Sequence, residues 1–145
     1  MTIPLVVGAY HKLERGYDDQ SQWCDCFVVG HNLRVGPRTR IWHWVNIMDD
    51  VEIGEDCRVG SFVDVASDVR IGNRCNIQAF VSISRGVVIE DDVFLGPRVT
   101  ILNDKYPPSE GLEPPIIKAH SVIGGGATIL PGVTVDGFVG AGAGV

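Results

Sequence analysis

The chain has 145 residues, 45% of them hydrophobic, with a formal net charge of −6 and four cysteines. That length suits one domain with a real core, and the acidic balance argues against a nucleic-acid partner, which would need a basic patch to neutralise phosphates. No apolar run approaches the roughly 20 residues of a membrane span. The N-terminal MTIPLVVGAY also lacks the basic start and apolar length of a secretory signal, so a cytoplasmic protein without membrane insertion is the expectation.

Residues 1–28 are the least regular part. HKLERGYDDQ carries mixed charge and reads as a surface turn, while Tyr17 with Ser21, and Trp23 with Phe27, fit early versions of the pattern that follows. An irregular first coil is therefore predicted over 1–28. Cys24 and Cys26 have the wrong spacing for a CxxC metal half-site.

From Val29 an aliphatic residue returns at every sixth position: Val35, Ile41, Ile47, Ile53, Val59, Val65, Ile71, Ile77, Ile83, Ile89, Leu95, Ile101. Four places after each beat sits a second inward candidate, from Leu33 and Thr39 through Cys57 and Cys75 to Val99. A helix does not have this period and strict strand alternation does not produce it. A short strand plus a tight corner does, and three such sides close a triangular coil of about 18 residues, the signature of a stacking solenoid. Gly36, Gly54, Gly60, Gly72 and Gly96 follow the beat directly, where a corner needs little bulk or unusual backbone angles. Residues one coil apart should then stack about 4.8 Å from each other. On that register Cys57 and Cys75 are neighbouring small core thiols rather than a redox pair. Trp44, Phe62 and Phe80 form one outward column beside Trp42. Exposed aromatics in a column predict a covered partner surface.

After Ile101 the next beat is due at residue 107 and arrives at Ile117. The ten extra residues PPSEGLEPPI, 107–116, predict a loop that leaves the coil and returns in phase. Loops on rigid scaffolds are preferred functional places, although a passive surface excursion would have the same spacing. Just before it stand Asn103, Asp104, Lys105 and Tyr106. Asn103 can both donate and accept, suiting an amine or hydroxyl. Asp104 can hold an ammonium, and can take a proton only with a raised pKa; Asn-Asp also simply makes turns. Tyr106 suits stacking on a base or sugar, and Lys105 suits pairing with phosphate. Arg85 stacks one coil below Asn103 as a further phosphate contact. The beat restarts at Ile117, Ile123, Ile129, Val135 and Ala141, with Ser121, Ala127, Val133, Val139 and Val145 as inward partners. The pattern is still running at VGAGAGV, which predicts a further capping tail.

These repeats resemble the left-handed β-helix of the hexapeptide-repeat acyltransferase superfamily, and left-handedness comes from the resemblance rather than from the period. IEDDVFLGPRVTILNDKYP and TRIWHWVNI look like segments of the enzymes that acetylate amino sugars on nucleotide carriers. The resemblance implies an all-β single domain, a homotrimer with active sites between adjacent β-helices, acetyl-CoA as co-substrate, a nucleotide-linked 3-amino sugar as acceptor, and no required metal. The relatives carry an Asn pair where this chain has Ala79 and Phe80. Phe80 cannot make the same hydrogen bond, so the acceptor or its pose differs. The implied donor surface is the small-residue tract of the C-terminal coils: Gly124, Gly125, Gly126, Ala127, Pro131 and Ala143. His43 and His120 are the candidate bases, and some resembling enzymes need none because the free amine attacks directly. Three other readings stay open. An O-acetyltransferase would need a histidine base. A non-catalytic trimeric subunit would need the aromatic column but not the loop. A metal-dependent hydratase would need three convergent histidines.

Overall fold

The computed structural model describes residues 22–23 and 27–139. The strands are two or three residues long and form three parallel sheets of seven, six and six strands. The chain winds as a left-handed parallel β-helix of about six turns. Face 1 carries Arg40–Ile41, Arg58–Val59, Asn76–Ile77, Phe94–Leu95 and Val122–Ile123; face 2 carries Val45–Ile47, Asp64–Val65, Ser82–Ile83, Thr100–Ile101 and Thr128–Ile129. Face 3 carries Arg34–Val35, Glu52–Ile53, Arg70–Ile71, Val88–Ile89, Ile116–Ile117 and Thr134–Val135.

The six-residue beat becomes one side of the triangle. In nearly every strand the aliphatic residue points inward, and Val59, Val65, Ile83, Leu95, Ile101 and Ile117 are all 0% exposed. Registers are 18 residues apart, as in Ser82 with Thr100, until the loop. There Val88 pairs with Ile116 and Ile89 with Ile117, ten residues further on. Gln22–Trp23 and Phe27–Val29 already pair in register with Arg40–Ile41 and Val45–Ile47; the rest of the first 28 residues, Tyr17, Ser21, Cys24 and Cys26 among them, lies outside the described residues. Cys57 and Cys75 are free and buried, each thiol bonded to a carbonyl of the coil above, Gly72 and Glu90, at 3.1 Å. Contact with Cys57, then burial, pushes the Cys75 thiol far up, the state of an inert core sulfur. The last coil departs from the expectation: Val133 is 38% exposed with no described coil stacked over it, and Val122 pairs with Phe138 and Ile123 with Val139, a step of 16, so Val139 takes the beat position that the period put at Ala141.

The corners divide two demands between two positions. The glycine after the beat is held by close approach: a Cβ at Gly36 would lie 2.5 Å from the Glu55 amide nitrogen of the next coil. Its backbone angle is not unusual. Positive φ falls two residues later instead, on bulky side chains such as Trp44 (54°), Phe62 (59°) and Phe80 (63°). That conformation costs a non-glycine residue about 1 kcal/mol, and from Asp50 onward each such residue donates its amide to the coil below, as in Phe62 N–H to the His43 carbonyl at 3.2 Å and Phe80 N–H to the Ser61 carbonyl at 3.1 Å. Three straight corner columns result, on which side chains are free to differ.

Candidate active site

The loop leaves face 2 after Ile101 and rejoins face 3 at Ile116, so it stands on the corner between those faces. Its root is fastened at several points. Asn103 Nδ2 donates to the Arg85 carbonyl at 3.0 Å, the Glu113 amide donates to the Asn103 carbonyl at 2.7 Å, and the Gly132 amide donates to the Glu113 carbonyl at 2.7 Å. Asp104 accepts from the Tyr106 amide at 3.1 Å, the Ser109 amide at 2.8 Å and Ser109 Oγ at 2.7 Å. The Ser109 hydroxyl, with those amides, holds the Asp104 carboxyl below its usual range. A general base needs the opposite direction, so Asp104 serves here as the loop's fastening. Asn103, by contrast, is half-buried with its Nδ2 committed and no partner on Oδ1 among the described residues, which leaves a fixed acceptor. Lys105 Nζ lies 5.5 Å from the centre of the Tyr106 ring, and Tyr106 is 75% exposed. Arg85 Nε is already bound to Asp68 at 2.7 Å. The cation expected to meet phosphate thus has its charge matched within the fold.

The corner between faces 1 and 2 carries the aromatic column. Trp44 and Phe62 stack at 5.0 Å between centroids and Phe62 and Phe80 at 4.9 Å, with interplanar angles of 17° and 5°. The exposed His43 ring stands 5.4 Å from Trp44. Above Phe80 the column continues as Arg98, exposed and without an acidic partner among the described residues, and then as Gly126. The Gly126 amide donates to the Pro97 carbonyl at 2.8 Å, and a Cβ there would meet nothing within 4 Å. Gly125 beside it is closer to the coil below, where a Cβ would lie 3.2 Å from Pro97. Ala127 does not belong with them. It is 5% exposed, its carbonyl accepts from Thr100 and its amide donates to Gly124, so its inward position leaves nothing for a ligand. Pro131 sits one side away, on the loop corner, and Ala143 lies outside the described residues.

Between these corners runs the outer surface of face 2. Ser82, Thr100 and Thr128 form a hydroxyl column in register, above Asp64, which accepts from Asn46 at 2.6 Å. Leu102 and Leu130, 37% and 59% exposed, line the loop side. Sequence reasoning passed over these hydroxyls and Arg98. The signal was available: the residue before each beat faces outward, and neighbours follow by stepping 18, or 28 across the loop, up to the last coil, where the step is 16.

The histidines fall elsewhere. His120 stands on the third corner, between faces 3 and 1, 3.8 Å from Asp92. Its nearness to the loop in sequence misleads, because one hexad spans a whole side of the triangle, roughly 15 Å of extended chain. His43 is on the aromatic corner, three coils below the level of Asn103. Within one chain Asn103, His43 and His120 occupy three different corners. Among the described residues no three His, Cys, Asp or Glu side chains are placed to hold a metal ion, and no helix is long and apolar enough to cross a membrane.

Comparison with known proteins matches this geometry. The bacterial transferase hexapeptide (six repeats) family is matched by residues 32–66, 50–85 and 68–103. The chain belongs to the hexapeptide-repeat superfamily. Among solved structures, WeeI from Acinetobacter baumannii AYE is 18% identical with a TM-score of 0.52, over 82% of this chain and 53% of its own. A hexapeptide transferase family protein from Anaplasma phagocytophilum is 13% identical with a TM-score of 0.56, over 85% of this chain and 74% of its own. Both likenesses are of fold, and this hexapeptide-repeat chain spans about half the length of WeeI. None of the curated proteins matches it.

Proposed function

We propose that this hexapeptide-repeat protein moves an acetyl group from acetyl-CoA to the amine of a nucleotide-linked amino sugar, as a cytoplasmic homotrimer. The observation that carries this reading is Asn103: a half-buried amide anchored through one Nδ2–H to the Arg85 carbonyl, with no partner on Oδ1 among the described residues, beside a fastened loop. An acceptor oxygen so placed orients an amine N–H and leaves the nitrogen lone pair free to attack. Thr100 and Thr128 supply neutral hydrogen bonds on the same face, and the Gly124–Gly126 rung gives the coenzyme arm a flat approach. Acetyl-CoA supplies the acyl group as a thioester. The amine adds to its carbonyl, the C–S bond breaks, the thiolate leaves with the coenzyme, and the surplus amine proton passes to solvent.

The placement of the histidines favours amine over hydroxyl acceptors. A hydroxyl needs a base within hydrogen-bond reach, and among the described residues of one chain no histidine stands beside Asn103. In a trimer a neighbouring copy can bring its own corner into the cleft, and the exposed aromatic column supports such a contact. The test is coenzyme release from acetyl-CoA with nucleotide-linked 3-amino sugars and the matching 3-hydroxy sugars. Turnover with the amines alone is expected, and Asn103→Ala should lower it by roughly tenfold or more, the worth of about one good hydrogen bond to the reacting group. Turnover with the hydroxy sugars, or none with any amine from a full-length trimer, would overturn the reading.

A further inference from the structure

The outward-facing arginines of this chain divide into two groups. Arg34 meets Glu52 at 3.3 Å, Arg38 meets Asp56 at 2.7 Å, Arg74 meets Asp92 at 2.7 Å and Arg85 meets Asp68 at 2.7 Å. Arg40, Arg58, Arg70 and Arg98 have no ion pair among the described residues, and only the first two of these sit beside each other. Arg40 and Arg58 are direct neighbours on face 1, paired in register across parallel strands and both exposed. Like charges directly opposite on a sheet are destabilising, and the nearest carboxylate column does not relieve them. Asp56 spends both oxygens on Arg38.

The surroundings of the pair are specific. Counting two outward positions on each of three successive coils, face 1 presents Arg40 with Trp42, Arg58 with Gly60, and Asn76 with Gln78. Trp42 is 46% exposed and has no ring partner among the described residues, unlike Trp44 beside it. The rung above Trp42 is Gly60, so no side chain from the next coil covers it. Two rungs up, Gln78 Nε2 donates to Asn76 Oδ1 at 2.6 Å, which leaves Gln78 Oε1 and an Asn76 N–H for the edge of a flat polar ring. An indole, two unmatched guanidiniums and an amide pair, with no carboxylate among them, match a planar heterocycle joined to phosphate.

We infer that this patch of face 1 is a nucleoside-phosphate site, with Arg40 and Arg58 on the phosphates and Trp42 against the base. Building on the proposed function, it places the nucleotide carrier of the acceptor on the face 1 side of the aromatic corner, away from Arg85 and Lys105 at the loop. In the proposed trimer, three prisms meeting at their aromatic corners would leave a wedge between face 1 of one copy and face 2 of the next. A carrier held on one wall would then reach Asn103 on the other.

The test is equilibrium binding of UDP, ADP, uridine and pyrophosphate to the folded protein by titration calorimetry. UDP or ADP should bind at least tenfold tighter than uridine or pyrophosphate, and affinity should fall as salt rises. Arg58→Gln and Trp42→Ala should each weaken it about tenfold or more, whereas Arg34→Gln, whose partner is Glu52, should not. Displacement of UDP by coenzyme A would uphold the site and assign it to the donor's nucleotide. Three results would overturn it: no nucleotide binding at millimolar concentration, unchanged affinity in an Arg40→Gln, Arg58→Gln double variant, or a double variant that loses only its oligomeric state. Coenzyme release separates this inference from the proposed function. Binding without turnover sinks the acyl transfer alone, and turnover on a nucleotide-linked amine with KM unchanged in the Arg40→Gln, Arg58→Gln double variant sinks the site alone.

Discussion

Two corners of this triangular coil share a backbone and nothing else. On the corner between faces 3 and 1 the column reads Arg38, Asp56, Arg74, Asp92, each sign answering the one below it, with His120 on top, 3.8 Å from Asp92. Arg38 holds Asp56 at 2.7 Å through both Nε and Nη2, and Arg74 holds Asp92 in the same way at 2.7 and 2.9 Å. On the corner between faces 1 and 2 the column reads Trp44, Phe62, Phe80, Arg98, Gly126. The rings satisfy one another only along the stack, Phe62 and Phe80 stay 46% and 52% exposed, and Arg98 has no carboxylate among the described residues. Backbone angles and coil-to-coil bonds match at the two corners. One column is complete within a single chain and the other is not, which is where a partner or ligand belongs.

Damage to the shared frame should erase the contrast altogether. Ile83 is 0% exposed, and Ile83→Ala should cost about 2–5 kcal/mol by lost burial and the cavity left behind. Urea unfolding of the variant checks it; a loss below 1 kcal/mol would mean that the core relaxes around the gap. Next in size is Phe62→Ala, which cuts the stack at its middle rung. Light scattering should then show the proposed trimer falling to single copies while the circular dichroism spectrum holds. An unchanged trimer would return the aromatic corner to the ligand alone.

The charged corner should give the smallest effect, and a pH-dependent one. The Arg74 guanidinium holds the Asp92 carboxyl below its usual range, and Arg38 does the same for Asp56. A depressed native pKa adds stability that is present above the unfolded value, near 3.9, and is lost as pH falls through the native one. Arg74→Gln should therefore lower the melting temperature slightly at neutral pH, by under about 2 °C for so exposed a pair. Below the native pKa of Asp92 the two melting curves should coincide. A gap that persists in strong acid would assign the loss to packing of the arginine stem instead.

The solenoid could be read from Val29 onward because the beat is one-dimensional: each hexad repeats one inward residue and one corner, and stacking follows from the count. Cys57 above Thr39 and Phe80 above Phe62 needed only the step of 18. The site was less legible. Asn103 is fixed because one Nδ2–H donates to the Arg85 carbonyl, and Asp104 is fastened because Ser109 folds back onto it; both depend on how the loop closes. His120 looked adjacent to the loop and stands a full side away. Ala127 looked like part of a glycine surface and points into the core.

Period and composition alone determined the parallel coil, its inward columns, the ten-residue excursion and the aromatic stack, because each depends on spacing along the chain. Tertiary structure alone decided which corner carries the loop, which arginines are matched by acids and which carboxyl is held down. Those depend on what the neighbouring coil places within about 3 Å, the reach of a hydrogen bond.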